Sequence, residues 1–247
     1  DDNGCTAIAS FDVDSVTCAE SLEFRLFAFL EGAYDVNAGE MTTKLNNFCG
    51  ILPNGQPFNQ APWNYAGTET VGTFPGTVTD WVMISARNGV GSSSEIFRTA
   101  GLIHKNGLVT AAAGDSIFVL NNFTPGDSVY VVIEHRNHMG AMSPIPLTVA
   151  DDTLHTIDFR YMQSYQTGVP PTSGQKLVDS TNSVYALHAG DADANFDINS
   201  NDFLFLSNDF NKFNTYGPGD FNLDCDCNSN DIPLWLGNFN QFSGVEP

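Results

Sequence analysis

The chain has 247 residues, enough for one large β domain or for a domain of about 180 residues plus a small module. Aromatics at 12% and hydrophobics at 42% exclude a disordered chain. A formal charge of -20, from 29 acidic against 9 Lys and Arg residues, excludes a basic surface for nucleic acid or anionic membranes, and no run reaches the roughly 18 apolar residues of a membrane span.

Residues 1–20 form an N-terminal segment in which a Cys5–Cys18 bridge would tie the chain down. The start, DDNGCTAIAS, lacks the basic-then-apolar look of a signal peptide, so the chain reads as a mature or processed form. Cys49 can reach Cys225 or Cys227, which leaves one thiol free or shared with another chain; no CxxC zinc or redox spacing exists.

Residues 21–189 alternate β-rich runs with turns. The predicted strands are LEFRLFAFL, WVMISAR, EIFRTAGLIH, GLVTAA, SIFVL, SVYVVIEHR, IPLTVA, HTIDF and SVYALHAG. Lys105-Asn106-Gly107 and Thr124-Pro125-Gly126-Asp127 are turn signals, so antiparallel pairing with short connections is expected. Such strands close into an antiparallel, Ig-like β-sandwich, because each sheet must bury its apolar face. Asn37–Gly76 reads as a long ordered loop over one end of the sheets, with MTTKL as a short helix, and Gln163–Lys176 as an exposed linker.

Within this domain Glu134-His135-Arg136-Asn137-His138 is the densest polar cluster. Glu and His can bind metal or move protons, but no HExxH spacing or nucleophile accompanies them, which favours a hydrogen-bonded structural role. Trp63, Tyr65 and Trp81 offer flat faces for sugar rings, although aromatics in a sandwich are more often core.

Residues 190–247 contain a duplication: DADANFDINSND-FLFLSNDFN aligns with DFNLDCDCNSND-IPLWLGNFN. Calcium takes six to eight oxygens, and a loop with side chains at positions 1, 3, 5, 9 and 12 and a carbonyl at 7 wraps one ion. The first copy offers Asp191, Asp193, Asn195, Asp197 through its carbonyl, Asn199 and Asp202. The second offers Asp220, Asn222, Asp224, Asp226, Asn228 and Asp231, so two ions are expected. Ile198 and Cys227 at position 8 would face each other between the loops. An apolar helix face would follow each: Phe203, Leu204, Leu206 and Phe210, then Ile232, Leu234, Trp235 and Phe239. Position 6, usually Gly, is Phe196 in one copy and Cys225 in the other.

With Asp at position 12 and no entering helix, this pair resembles the type I dockerin repeat of cellulosomes. The resemblance implies two calcium ions and a protein-binding face at positions 10 and 11, here Ser200-Asn201 and Ser229-Asn230; read alone, Ser200 and Ser229 would cap the helices. The strings FLEGAYD, ILPNGQPF, WNYAGTETV, DWVMISAR, VVIEHRNHM and YALHAGD, with a closing SGVEP, resemble a module at the ends of secreted and surface proteins of Bacteroidetes-type bacteria. That likeness spans nearly all of Leu22–Pro247. It implies an extracellular β domain fused to calcium repeats, and no known catalysis. It also implies glycosylation at Asp-Ser/Thr-aliphatic sites, here Ser15, Ser116, Ser128 and Thr153, with Ser180 a looser match; Asn122-Phe123-Thr124 fits the N-linked pattern.

The expected function is a non-catalytic, calcium-stabilised structural or adhesive module of a surface assembly or filament, which self-associates or binds other surface proteins. The alternatives are a recognition module for a protein receptor or carbohydrate, and a glycoside-active enzyme, which would need two carboxylates in a cleft.

Overall fold

The strand Val78–Arg87 is buried at every one of its ten positions. A strand with one wet face alternates in polarity, whereas one covered on both faces is a continuous apolar run, as WVMISAR nearly is. Both sides of its sheet must therefore be covered.

The computed structural model describes residues 20–150, 153–161, 163–168 and 171–247. Its strands are β1 (Glu20–Phe27), β2 (Tyr34–Asp35), β3 (Glu40–Met41), β4 (Val78–Arg87), β5 (Glu95–His104), β6 (Val109–Ala111), β7 (Phe118–Phe123), β8 (Ser128–Glu134), β9 (Ala141–Met142), β10 (Leu147–Thr148), β11 (Leu154–Asp158), β12 (Gln175–Asp179) and β13 (Val184–Leu187). Helices α1 (Ser200–Asp209) and α2 (Ile232–Asn238) follow. Six strands form one sheet, in the order β10-β8-β4-β5-β6 with β9 beside β8, and three form another, β11-β1-β7. The chain is thus mainly β, with largely antiparallel sheets that fit a sandwich.

Leu22, Phe24 and Leu26 of β1, Phe118 and Leu120 of β7 and Ile157 of β11 share one core with Val82, Ile84 and Ala86 of β4 and Val131 and Ile133 of β8. Each Leu, Phe, Ile or Val among them contributes about 1.5–3 kcal/mol on full burial. Residues opposite one another on paired strands share a face, so Met83, Ser85 and Arg87 point with Glu134, Val132 and Tyr130 to the other side of the six-stranded sheet. There Val132, Met139 and Met142 pack against Phe196 and Ile198 of the first acidic loop and Val245 of the C-terminal tail. Arg87 Nη1 donates to the Glu246 carbonyl at 2.7 Å, and Trp63 Nε1 to Glu134 Oε2 at 2.8 Å. The C-terminal module and the long loop are therefore a third layer.

Several expectations need correction. β1 pairs with β11 in parallel, from Glu23 opposite Leu154 to Phe27 opposite Asp158. Parallel partners need a long crossover, and the intervening sheet supplies it. The 105–107 turn joins β5 to β6, but the Thr124–Asp127 turn joins β7 to β8, which lie in different sheets. The supposed linker Gln163–Lys176 contains the start of β12, which forms a hairpin with β13.

The Asn37–Gly76 segment does more than cover one end. It holds β3 and a π-helical turn at Lys44–Phe48 that overlaps the predicted helix. Farther on it shields the part of β5 that β6 leaves open: Tyr65 Oη donates to the Arg98 carbonyl at 3.4 Å, and Glu69 Oε1 accepts from the Ala100 N–H at 3.3 Å.

The three-layer arrangement has a testable consequence. Removing residues 190–247 should expose Val132, Met139 and Met142, so the shortened chain should bind a hydrophobic dye and unfold at lower urea than the whole; an equally stable, dye-silent fragment would contradict the third layer.

Candidate metal centre

The two acidic loops, 191–202 and 220–231, repeat one another bond for bond. Asp191 accepts from the N–H groups of Asn195 and Phe196 at 3.1 and 3.0 Å, and Asp220 from those of Asp224 and Cys225, both at 3.0 Å. Asp202 accepts from Ala192, Asp193 and Asn199 at 2.7, 3.2 and 2.8 Å; Asp231 accepts from Phe221, Asn222 and Asn228 at 2.8, 3.1 and 2.8 Å. The first and last carboxylates thus hold the loop backbone in a ring. Positions 3 and 5 exchange residue types while keeping their link: Asn195 Nδ2 donates to Asp193 at 3.0 Å, and Asn222 Nδ2 to Asp224 at 3.1 Å. The Asn199 and Asn228 side chains accept from Asn201 and Asn230, whereas Asp197 and Asp226 donate their own N–H groups within the loops. The cap of α1 is therefore Asn199, in a capping box with Asp202, and not Ser200.

Asp191, Asp202, Asp220 and Asp231 are at most 1% exposed, and among the described residues no basic side chain hydrogen-bonds to them. One oxygen each from Asp191, Asp193 and Asp202 lie within 4.8 Å of one another. Burial, aided by Asp202 and Asp193, pushes the Asp191 carboxyl well above its ordinary value. Burial also lifts Asp202 to about 6 and Asp220 to about 7, the latter opposed by Arg136. Converging, buried carboxylates such as Asp191, Asp193 and Asp202 of the first loop fit a hard cation that prefers oxygen.

Position 6 explains how each loop is fastened. Phe196 and Cys225 have φ of 65° and 82°, a left-handed conformation that costs a non-glycine residue about 1–2 kcal/mol. Both side chains are attached to the β domain. Phe196, 3% exposed, covers Gly140 so closely that any side chain there would collide with its ring. Cys225 forms a disulfide with Cys49. Among the described residues Cys227 is the free, buried thiol, which burial pushes to about 12; Cys5, Cys18 and Ser15 lie outside them.

Position 8 behaves differently from expectation. Ile198 and Cys227 do not pair with each other; each pairs with the segment after the other copy's helix. Ile198 exchanges backbone hydrogen bonds with Gln241 and Asn240, both at 2.8 Å, and Cys227 with Lys212 and Asn211, both at 2.9 Å. The helices are also less buried than their apolar faces suggested. Leu206 is buried, whereas Phe203, Leu204, Phe210 and Phe239 are exposed. Ser200, Asn201, Ser229 and Asn230 are exposed as well, as are Ser128, Thr153 and Ser180, while Ser116 is half-buried.

The 134–138 cluster turns out to be the seam between the layers. Asp80, which sequence reasoning missed, accepts from Tyr216 Oη at 2.7 Å and from Arg136 Nε at 3.2 Å. Arg136 also donates to the Gly217 carbonyl, and Asn137 Nδ2 donates to the Asp220 carbonyl at 2.6 Å. His138 Nε2 accepts the Gly32 N–H at 3.1 Å, so the proton of a neutral ring sits on Nδ1, which faces Asn137 Oδ1 at 2.9 Å and His135 Nδ1 at 3.1 Å. His135 then donates through Nε2 to Asp80. Burial lowers the His135 pKa and takes His138 well below the ordinary value. Burial alone would raise Asp80, but Arg136 and His135 bring it below its usual range.

Gly32 has no room for a side chain because the Phe221 carbonyl lies against it, and Glu31 accepts from Asn238, Ala189 and Lys176. Only an alignment of FLEGAYD with its distant partners would have revealed those roles. The aromatics do not form one stacking platform: Trp81 is fully buried with Nε1 on the Pro53 carbonyl, and Trp63 and Tyr65 are half-buried in separate contacts.

No protein-family model matches the chain, and no curated protein matches it. Among solved structures it is similar to a chain of a type II cohesin–X–dockerin complex from Acetivibrio cellulolyticus, described as an N-terminal interface mutant. The identity is 15%, the match covers 66% of this chain and 82% of that one, and the TM-score is 0.36.

The raised carboxyls predict a pH signature. In metal-free protein Asp202 and Asp220 hold protons that the unfolded chain releases near pH 4, so their stabilising contribution is complete below that pH and is lost as pH rises through 6 to 7. Calcium added at pH 6 should therefore displace protons, seen as a calorimetric heat that depends on the buffer's ionisation enthalpy; a buffer-independent heat would contradict these shifts. Separately, Phe196→Ala should destabilise the protein by about 3–5 kcal/mol in urea unfolding, the range for emptying a buried Phe site.

Proposed function

We propose that the chain is a non-catalytic, extracellular structural module whose duplicated calcium loops lock a C-terminal layer onto a β domain, and that it works as a component of a protein assembly at the cell surface. The observation that carries this reading is the anchoring of both loops through position 6, one by Phe196 and the other by the Cys49–Cys225 disulfide. Rings of buried carboxylate set against the core gain from a cation what they otherwise lose to mutual repulsion, so metal binding becomes stability of the layer. A disulfide suits an oxidising compartment, and no helix among the described residues is long and apolar enough to cross a membrane.

The exposure of Ser200-Asn201 and Ser229-Asn230, together with Phe203, Leu204, Leu236 and Phe239, supports protein recognition as the use of the outer surface, in the manner of the dockerin-like resemblance. The His135 and His138 rings are engaged within the seam and Glu134 Oε2 by Trp63, which supports a structural role for that cluster.

Calorimetric titration of chelator-treated protein with calcium should show two binding events and a raised melting temperature, both abolished in Asp191→Ala/Asp220→Ala. No heat and no stabilisation would overturn the reading. Alanine at Ser200, Asn201, Ser229 and Asn230 should leave the calcium heats and melting temperature unchanged, since exposed positions usually move stability by less than about 0.5 kcal/mol.

A further inference from the structure

Segments far apart in the sequence meet at one buried side-chain amide. Glu31 lies in the turn after β1, Lys176 on β12, His188 just after β13, and Asn238 ends α2. Asn238 is fully buried, and both ends of its amide are held. Its Oδ1 accepts from Lys176 Nζ at 3.1 Å and from His188 Nδ1 at 3.2 Å, while its Nδ2 donates to Glu31 Oε2 at 2.5 Å and to the Ala189 carbonyl at 2.8 Å. Two acceptors on the nitrogen side fix which end of the amide is which, so His188 carries a proton on Nδ1. Glu31 in turn holds Lys176 Nζ through Oε1 at 2.6 Å, and its Oε2 also takes the Ala189 N–H at 3.0 Å.

These groups are the parts of an amide exchange. A lysine amine is a nucleophile once it has given up a proton, and a primary amide yields to it when its oxygen is polarised and its nitrogen is protonated as it leaves. Glu31 touches both nitrogens: Oε1 faces the one that must lose a proton, and Oε2 the one that must gain it. A single carboxyl group can therefore act first as base and then as acid. His188 donates to the oxygen on which negative charge would develop, which is where a fixed donor helps most. Holding amine and amide side by side replaces a chance encounter, and well-oriented pairs reach effective concentrations of about 10⁵–10⁸ M. A salt bridge between Glu31 and Lys176 alone would need neither the amide nor the histidine.

We propose that Lys176 and Asn238 become joined by an intramolecular isopeptide bond, formed once in the folded chain with Glu31 as the proton carrier. The Lys176 ammonium gives one proton to Glu31, the freed lone pair on Nζ attacks Asn238 Cγ, and the carbonyl pair moves onto Oδ1 beside the His188 N–H. Glu31 passes its proton to Nδ2, the Cγ–Nδ2 bond breaks, and the departing ammonia takes the surplus proton from Nζ. One ammonium and one primary amide thus become a secondary amide and an ammonium ion, with no oxidant and no outside reagent. The step turns over no substrate and needs no metal, so it goes beyond the calcium reading. It ties β12 to the end of α2, and unlike the Cys49–Cys225 link it would survive reduction.

The test is the intact mass of the full chain, folded and kept at neutral pH until the spectrum stops changing, then reduced and denatured. The expected result is a mass below that of the sequence by one ammonia, with a branched peptide after proteolysis that joins the fragments carrying Lys176 and Asn238. Glu31→Gln and Lys176→Arg should keep the full mass and release the two fragments separately. Lys176→Arg retains the charge at a partly exposed position, and circular dichroism checks that it folds. A parent chain at full mass would overturn the proposal, as would an ammonia loss that maps elsewhere, such as a succinimide at Asn54-Gly55 or Asn106-Gly107. A branched peptide formed equally in Glu31→Gln would overturn the role given to Glu31. The parent spectrum decides by itself, whether or not a variant folds.

Discussion

Each acidic loop turns through a left-handed residue, and the side chain at that turn fastens the loop to the β domain. A glycine at position 6 would make the turn without strain, yet it would leave nothing to hold the loop down. Phe196 and Cys225 accept the conformational cost and return it through attachment, one by burying a ring against Gly140 and the other through a covalent bond to Cys49. The rest of the structure depends on this. Without the Phe196 and Ile198 side chains, the second face of the six-stranded sheet loses part of its cover, and β4 would not be buried at all ten positions.

The seam adds electrostatic constraints to this packing. Asp80, His135, His138, Arg136 and Tyr216 form a buried network in which one carboxylate and one guanidinium balance and both imidazoles stay neutral. Removing either member of such a pair leaves an uncompensated buried charge, which costs more than the pair contributes by being formed. The network fixes where Gly217 and the Asp220 carbonyl sit, and hence where the second loop begins.

The sequence was most legible where a signal repeats or alternates. The duplicated 12-residue loops are visible as text, and their hydrogen bonds coincide position by position. Strands β4, β5 and β8 announce themselves by β-branched and apolar runs. What escaped was set by partners far away in the chain. Nothing in GQKLVD marks β12 as a strand until β13 lies beside it, and Thr124–Asp127 looks like a hairpin turn although its flanking strands belong to different sheets. The parallel β1–β11 pair, the role of Asp80, and the pairing of Ile198 with Asn240 and Gln241 are equally non-local. Phe196 and Cys225 looked like defects in a calcium loop because a loop read alone gives no hint of the surface it rests on.

The crossed pairing after the helices has a consequence for the order in which the chain can mature. The first loop is joined to residues beyond the second helix, and the second loop to residues beyond the first helix, so the first loop cannot be finished before the second has been made. A chain emerging from a ribosome would carry its first acidic loop unclasped until Asn240 and Gln241 had followed. Closure of the first loop is thus a late event, which a chain interrupted before Asn240 would not reach.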